Sequence, residues 1–315
     1  MKTAISSEEA AQAMRGLLGS VHDWTPLAEG EVSQAFAFRS DGRDLVLRIA
    51  PRRVGFDKDA WAARALAGTK VPVPEVLHVG PIGEGAYCCV SERLGGVHLT
   101  TSDEAHQRRC APAVRAVVED IAATDLGDSA GWGSVDPATG DGAAPDWTAQ
   151  LRSLLPENWD YLEDRADREM AEELTATALG ITASIPLERR LIHGDLNPGN
   201  YTVEGDAIAG VFDWEAVMIG DPLWELARYV LWAPVMPSTR IQADHELDLL
   251  AGRGIEQRLR ALVIVNGLWS IDIYRGMANA PAVQLMLNRL PFFREEPRPL
   301  DTGREDYWLR LGRRR

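Results

Sequence analysis

The sequence predicts an α+β fold of two lobes, a small, mostly antiparallel sheet lobe followed by a larger, mainly helical one. Three observations carry that expectation. Strand-composed segments separated by turn signals crowd into residues 32–91, while apolar residues at helical spacing dominate from residue 103 onward. A chain of 315 residues is also long enough to bury a core in each part. The expected division is 1–94 for the sheet lobe and 95–315 for the helical lobe.

The elements follow in order. Ser6-Ser7-Glu8-Glu9 reads as a helix start, and Gly19 as its stop after Leu18. Residues 32–38 and 44–50 have strand composition and flank Ser40-Asp41-Gly42-Arg43, which predicts a hairpin. Residues 56–67 return to a helical pattern. Val71-Pro72-Val73-Pro74 is extended, because each proline restricts the residue before it. Strands are expected at 75–79 and 86–91, and Leu94-Gly95-Gly96 ends the region. Helices are expected at 103–123, 147–165, 167–179, 221–233, 239–252 and 256–277. A loop is expected at 125–146, and a short hairpin at 201–203 and 207–212.

Composition excludes several classes. The formal net charge is −14, which disfavours nucleic acid, since binding it requires clustered Lys and Arg to displace counterions. The same balance suits a cationic small molecule, and equally a plain acidic surface. Three cysteines without metal spacing, two of them adjacent in an apolar run, read as buried thiols in a reducing compartment. The polar start carries Glu8 and Glu9 and is no secretory signal, and no apolar run reaches spanning length. The expectation is a cytoplasmic protein with no membrane or nucleic-acid partner, a monomer or weak dimer.

The strongest signal is His193-Gly194-Asp195-Leu196-Asn197-Pro198-Gly199-Asn200, then a short apolar strand, then Phe212-Asp213-Trp214. Phosphoryl transfer needs this set. One acid must receive or orient the proton of the attacking hydroxyl, and hard oxygen donors must hold Mg²⁺ against the phosphates. The assignment is Asp195 as catalytic base, Asn200 and Asp213 as Mg²⁺ ligands, and His193 as a brace of the loop.

These residues, followed by Glu215 and then Gly220-Asp221-Pro222-x-x-Glu225-Leu226-Ala227, resemble the aminoglycoside phosphotransferase family. Leu27-Ala28-Glu29-Gly30-Glu31-x-Ser33-x-Ala35-Phe36 resembles its nucleotide-covering loop, and Val46-Leu47-Arg48-Ile49 its third strand. The likeness covers roughly 25–235 and fades beyond. It implies a protein-kinase-like fold and transfer of the γ-phosphate of ATP or GTP to a hydroxyl of an antibiotic. An aminoglycoside of hygromycin B type comes first; a nucleoside antibiotic or a metabolite sugar or amino alcohol is the alternative. A catalytically silent binding module of the same fold is the rival from another class.

The resemblance also assigns nucleotide-binding residues. Gly30 and Ser33 belong to the covering loop. Arg48 stands where kinases carry Lys, with Asp59 as its partner acid: none of the three lysines, Lys2, Lys58 and Lys70, lies on that strand. Backbone groups of Ser91 and Arg93 are expected to meet the purine. Asp221 resembles the family's brace of the catalytic loop, accepting backbone N–H bonds; it also fits a helix N-cap with Pro222 at N1. Glu215 faces a cationic substrate or the metal, or is solvated. Trp232 is a stacking surface for substrate, or core.

Overall fold

The computed structural model describes residues 5–27, 33–294, 307, 308 and 311. Helix α1 (Ser7–Leu18) starts at a capping box: the Ser6 hydroxyl accepts the Glu9 N–H, and the Glu9 carboxylate accepts the Ser6 N–H. Strands β1 (His22–Pro26), β2 (Gln34–Ser40) and β3 (Arg43–Ala50) follow. Asp41 and Gly42 both take positive φ, the pairing a two-residue hairpin turn requires. Then come α2 (Val54–Ala65), β4 (Val76–Pro81) and β5 (Tyr87–Glu92). The strands form one antiparallel sheet in the order β1-β2-β3-β5-β4. β5 lies between two neighbours, which is why Cys88, Cys89 and Val90 are all apolar and buried.

Past Glu92 the chain joins different sheets. β6 (Val97–His98) pairs with β10 (Tyr201–Glu204), which pairs with β11 (Ala207–Val211). α3 (Glu104–Ala122), β7 (Trp132–Val135), β8 (Gly142–Ala144), α4 (Trp147–Ser153), α5 (Arg165–Ser184) and β9 (Arg190–Ile192) lie between β6 and β10 in the chain. β12 (Met218–Gly220) sits between β7 and β9 in a four-stranded sheet ordered β8-β7-β12-β9. The chain continues through α6 (Leu223–Trp232), α7 (Pro237–Leu250), α8 (Glu256–Gly276) and α9 (Ala280–Arg289). Among the described residues no helix is long and apolar enough to cross a membrane.

Three buried clusters hold these parts. One joins α1 to β2, β3 and β5. A second joins Ala62 of α2 and Leu66 to α3, Leu196, β10, β11 and Trp214. The third packs α4 to α9. Helix α2 thus carries Asp59 on an element fastened to the segment that bears Asp213.

The structure corrects several sequence expectations. The helix expected at 147–165 stops at Ser153, because Pro156 interrupts it and Asp164 caps a new helix that runs to Ser184. The stretch 125–146, expected as loop, contains the β7–β8 hairpin. β1, β6, β9, β12 and α9 were not foreseen.

Candidate functional site

The residues from His193 to Asn200 connect β9 to β10, and Phe212-Asp213 follow β11, so both segments leave small sheets at one place. Gly194 has φ +86°, and a Cβ there would come within 2.1 Å of the Ala216 carbonyl oxygen. Only glycine lets the two segments pass so closely. The His193 side chain is buried. Its Nδ1 accepts the Asp195 N–H (3.3 Å), so Nε2 carries the proton and donates to the Phe212 carbonyl (3.1 Å). One imidazole therefore ties the Asp195 loop to the Asp213 segment.

Helix α6 holds the loop from the other side at three residues. Glu225 accepts the Gly194 N–H (2.6 Å) on one carboxylate oxygen and the Leu196 N–H (3.1 Å) on the other. The Trp224 indole N–H donates to the Gly194 carbonyl and the Tyr229 hydroxyl to the Leu196 carbonyl. Of the two readings of Asp221, this corrects the brace of the loop and leaves the one at the helix start. Its carboxylate accepts the Leu223 N–H (3.0 Å) and a forked pair from Arg258 of α8 (2.6 and 2.9 Å), so it fixes the start of α6. The backbone bonds expected of it belong to Glu225. The signal was available, since Glu225 is an acid on a helix whose neighbours are almost all buried and apolar.

Asp195 Oδ2 accepts from the side-chain amides of Asn197 (3.1 Å) and Asn200 (3.2 Å), while Oδ1 is ion-paired with Arg228. Asn200 Nδ2 also donates to the Asp195 carbonyl (2.8 Å). With its amide nitrogen committed to Asp195, the Asn200 side-chain oxygen is turned away and has no hydrogen-bond partner among the described residues. Asp213 has a left-handed backbone, φ 68°, a conformation a non-glycine residue adopts only where its surroundings hold it. One holding bond is the Trp214 N–H to Asp59 (2.8 Å).

Arg48 and Asp59 are brought together as an ion pair, and the other arm of Arg48 meets Asp213 Oδ1 at 3.0 Å. Burial opposes the Arg48 charge, but Asp59 and Asp213 outweigh it and push its pKa up. Burial pushes the Asp59 carboxyl up as well, and Asp213 adds to this; Arg48 and the Trp214 N–H pull it back. Cys89 beneath Arg48 is pushed up to about 12 by burial and stays a thiol. Lys58, one residue before Asp59, donates to Ser134 and to the Glu215 carbonyl, closing α2 onto the Asp213 segment.

The Glu215 carboxyl lies against Gly55, where a Cβ would come within 3.1 Å of Oε2, and desolvation, then Asp213 and Asp59, push its pKa up. Trp232 is half-buried and meets Tyr274 of α8 edge-on at 6.0 Å, one turn beyond Arg228. Ser33 is half-buried at the entry to β2. Gly30 lies outside the described residues.

The expectation for Ser91 and Arg93 is corrected. The Arg93 N–H is already given to the Asp44 carbonyl (2.8 Å). By the alternation of an antiparallel ladder, that bond makes Val46 and Ser91 the next pair to exchange both their bonds. The Glu92 N–H is bound to Glu75. The Glu92 carbonyl, the Arg93 carbonyl and the Leu94 N–H have no partner among the described residues, so of the groups expected to meet the purine only the Arg93 carbonyl stays available. A separate cleft of about 510 Å³ that includes Trp61, Asp125, Asp128 and Asp141 contains none of these residues.

Comparisons with known proteins agree with this geometry. Residues 23–262 match the profile of the phosphotransferase enzyme family. The hygromycin-B 4-O-kinase of Escherichia coli is 31% identical over 256 residues, 79% of this chain and 74% of that protein. The crystal structure of aminoglycoside phosphotransferase APH(4)-Ia superposes with a TM-score of 0.87 at 26% identity, covering 93% of this chain and all of that one (100%). A thermostable mutant of the same enzyme, in a ternary complex with AMP-PNP and hygromycin B, gives 0.85 at 28% identity, covering 90% of this chain and 97% of that one. The GDP complex of wild-type aminoglycoside 2'-phosphotransferase-IIIa shares the fold, with a TM-score of 0.67 at 16% identity over 92% of this chain and 99% of that one. With the loop, the paired Arg48 and the extent of these matches in agreement, the chain belongs to the phosphotransferase enzyme family.

Proposed function

We propose that this chain moves the γ-phosphate of ATP or GTP to a hydroxyl of an aminoglycoside of hygromycin B type. The observation that carries it is the single carboxylate of Asp195, set by two asparagine amides on the loop that His193 ties to Asp213. The purine lies between the sheet part, 1–94, and the helical part, 95–315, against the Glu92 carbonyl and Leu94 N–H. Arg48, fixed by Asp59, takes phosphate oxygens with its fork.

The free oxygen of Asn200 and the Asp213 carboxylate are hard oxygen donors and fit Mg²⁺. When bound there, the ion neutralises charge on the phosphates. Asp195 Oδ2 is held by two neutral amides, so the carboxylate is aimed and can orient the acceptor hydroxyl and receive its proton. The three cysteines are free and buried, which fits a reducing compartment, and we place the protein in the cytoplasm.

The test is a panel of aminoglycosides and other hydroxyl-bearing antibiotics with Mg²⁺, run with labelled ATP and GTP separately, beside Asp195→Ala. Label appearing on an aminoglycoside with the wild type and not with the variant is expected. A nucleotide that binds yet never transfers its phosphate to any acceptor would favour the silent module. Transfer by Asp195→Ala at the wild-type rate would remove Asp195 from its role.

A further inference from the structure

We propose that Arg228 selects the acceptor hydroxyl by cancelling the attraction of Asp195 for an ammonium group next to that hydroxyl. The inference rests on the phosphotransferase reading of Asp195 and goes on to the chemistry of its acceptor.

The two oxygens of Asp195 are used differently. Oδ2 faces Asn197 and Asn200, and the main chain of Asn200 is bonded to Phe212, so this edge is joined to the Asp213 segment. Oδ1 looks the other way, toward α6 and α8, and is occupied by the Arg228 guanidinium. A second arm of Arg228 reaches Asn266 Oδ1 at 3.4 Å. Asn266 is fully buried, and its own amide is locked on the Leu262 carbonyl (2.9 Å). Arg228 is thus seated from two directions.

Its charge is permanent. Burial opposes it, but Asp195 and then Glu225 outweigh burial and push the pKa above the ordinary arginine value. Glu225 does not restore a negative field at the acceptor edge. It is 2% exposed, and its oxygens are turned to the Gly194 and Leu196 amides. The Arg228 side chain keeps 21% of its surface.

A lone carboxylate that aims a hydroxyl would also draw any ammonium on the neighbouring carbon. Here the guanidinium bound to Oδ1 makes the pair neutral as a whole, so its repulsion offsets part of the attraction the carboxylate has for such an ammonium. A hydroxyl in the same place is indifferent to that balance. The acceptor hydroxyl this site favours is therefore flanked by neutral groups, with any ammonium groups of the substrate placed elsewhere on the molecule.

The test uses matched acceptor pairs, an aminoglycoside and its analogue in which the amine beside the acceptor hydroxyl is replaced by hydroxyl. The phosphorylated position is assigned by NMR. The readout is the ratio of kcat/KM, ammonium-flanked over hydroxyl-flanked, for wild type, Arg228→Lys and Arg228→Gln. Glutamine keeps a hydrogen bond to Asp195 without the charge, and should raise the ratio on the order of tenfold or more, while lysine stays near wild type. Dissociation constants of the same pairs, measured by calorimetry with a non-hydrolysable nucleotide present, give the same ratio if the glutamine variant turns over too slowly.

A ratio unmoved in folded Arg228→Gln by both measurements, or moved equally by lysine, would overturn the proposal. Failure of the wild type to phosphorylate any acceptor would instead remove the reading it rests on, and the proposal with it.

Discussion

Replacing Glu225 by Gln tests whether α6 sets the geometry of the Asp195 loop. The two side chains have the same shape, but the carboxylate accepts two backbone N–H groups on its two oxygens, at 2.6 and 3.1 Å, and an amide has an acceptor at only one of those two positions. The other N–H would then face an NH₂ donor in a site that is 2% exposed. A hydrogen bond to a charged acceptor contributes about 1.5–3 kcal/mol, and a stranded buried donor costs about 1–3 kcal/mol. Neutralising the side chain recovers part of this, because burial holds the carboxyl above its ordinary value. The expected net loss is about 2 kcal/mol, equivalent to roughly 30-fold in kcat if it falls on the loop. Nucleotide KM should barely move, since Arg48 and Asp213 are not touched by Glu225. Steady-state kinetics and denaturant midpoints measure both effects. A kcat within twofold of wild type beside a lowered midpoint would show that Glu225 only supports the core, and would refute the reasoning.

Four further outcomes are expected. Burial is the largest effect on the Glu225 carboxyl and raises its pKa above 4.5, so the folded chain keeps a proton that the unfolded chain has released. Stability should therefore fall as pH rises from 4.5 through the raised value, and midpoints of Glu225→Gln across that window should show a flatter slope. Asp59→Asn weakens the partner of Arg48 and should raise nucleotide KM by about tenfold with a smaller change in kcat, read by initial rates against nucleotide concentration. Asn200→Ala removes one oxygen donor and should raise the Mg²⁺ concentration needed for half-maximal activity, read by metal titration of the rate. Gly194→Ala places a methyl on the Ala216 carbonyl in a left-handed backbone and should lower the thermal midpoint and kcat together, by about 2 kcal/mol or more of stability.

The parts legible from sequence were those written in short spacing. The hairpin around Asp41-Gly42, the capping box at Ser6 and Glu9, and the loop from His193 to Asn200 each depend on residues a few positions apart. The partnership of Arg48 with Asp59 was reached through the family resemblance, since none of the three lysines lies on that strand and Asp59 stands at the place of the partner acid. What stayed hidden depends on distant partners. β9 and β12 are three residues each and exist as strands through pairing with one another and with β7, which no local propensity announces. Whether the Arg93 amide points toward a base or toward Asp44 is a matter of ladder phase, and sequence composition does not record phase. Arg228 meets Asp195 across 33 positions, and only the packing of α6 against the loop discloses it.

The double attachment of Arg48 bears on turnover. Its second arm rests on Asp213, so the guanidinium, the more buried partner of that contact, is paired on two sides. On the proposed role of Arg48, an arriving triphosphate would exchange that contact for its own rather than meet a bare cation, which would limit how tightly it is held. A departing diphosphate leaves behind two groups that can pair again at once. On the role proposed for Arg48, the residue that grips the incoming nucleotide would also ease release of the spent one.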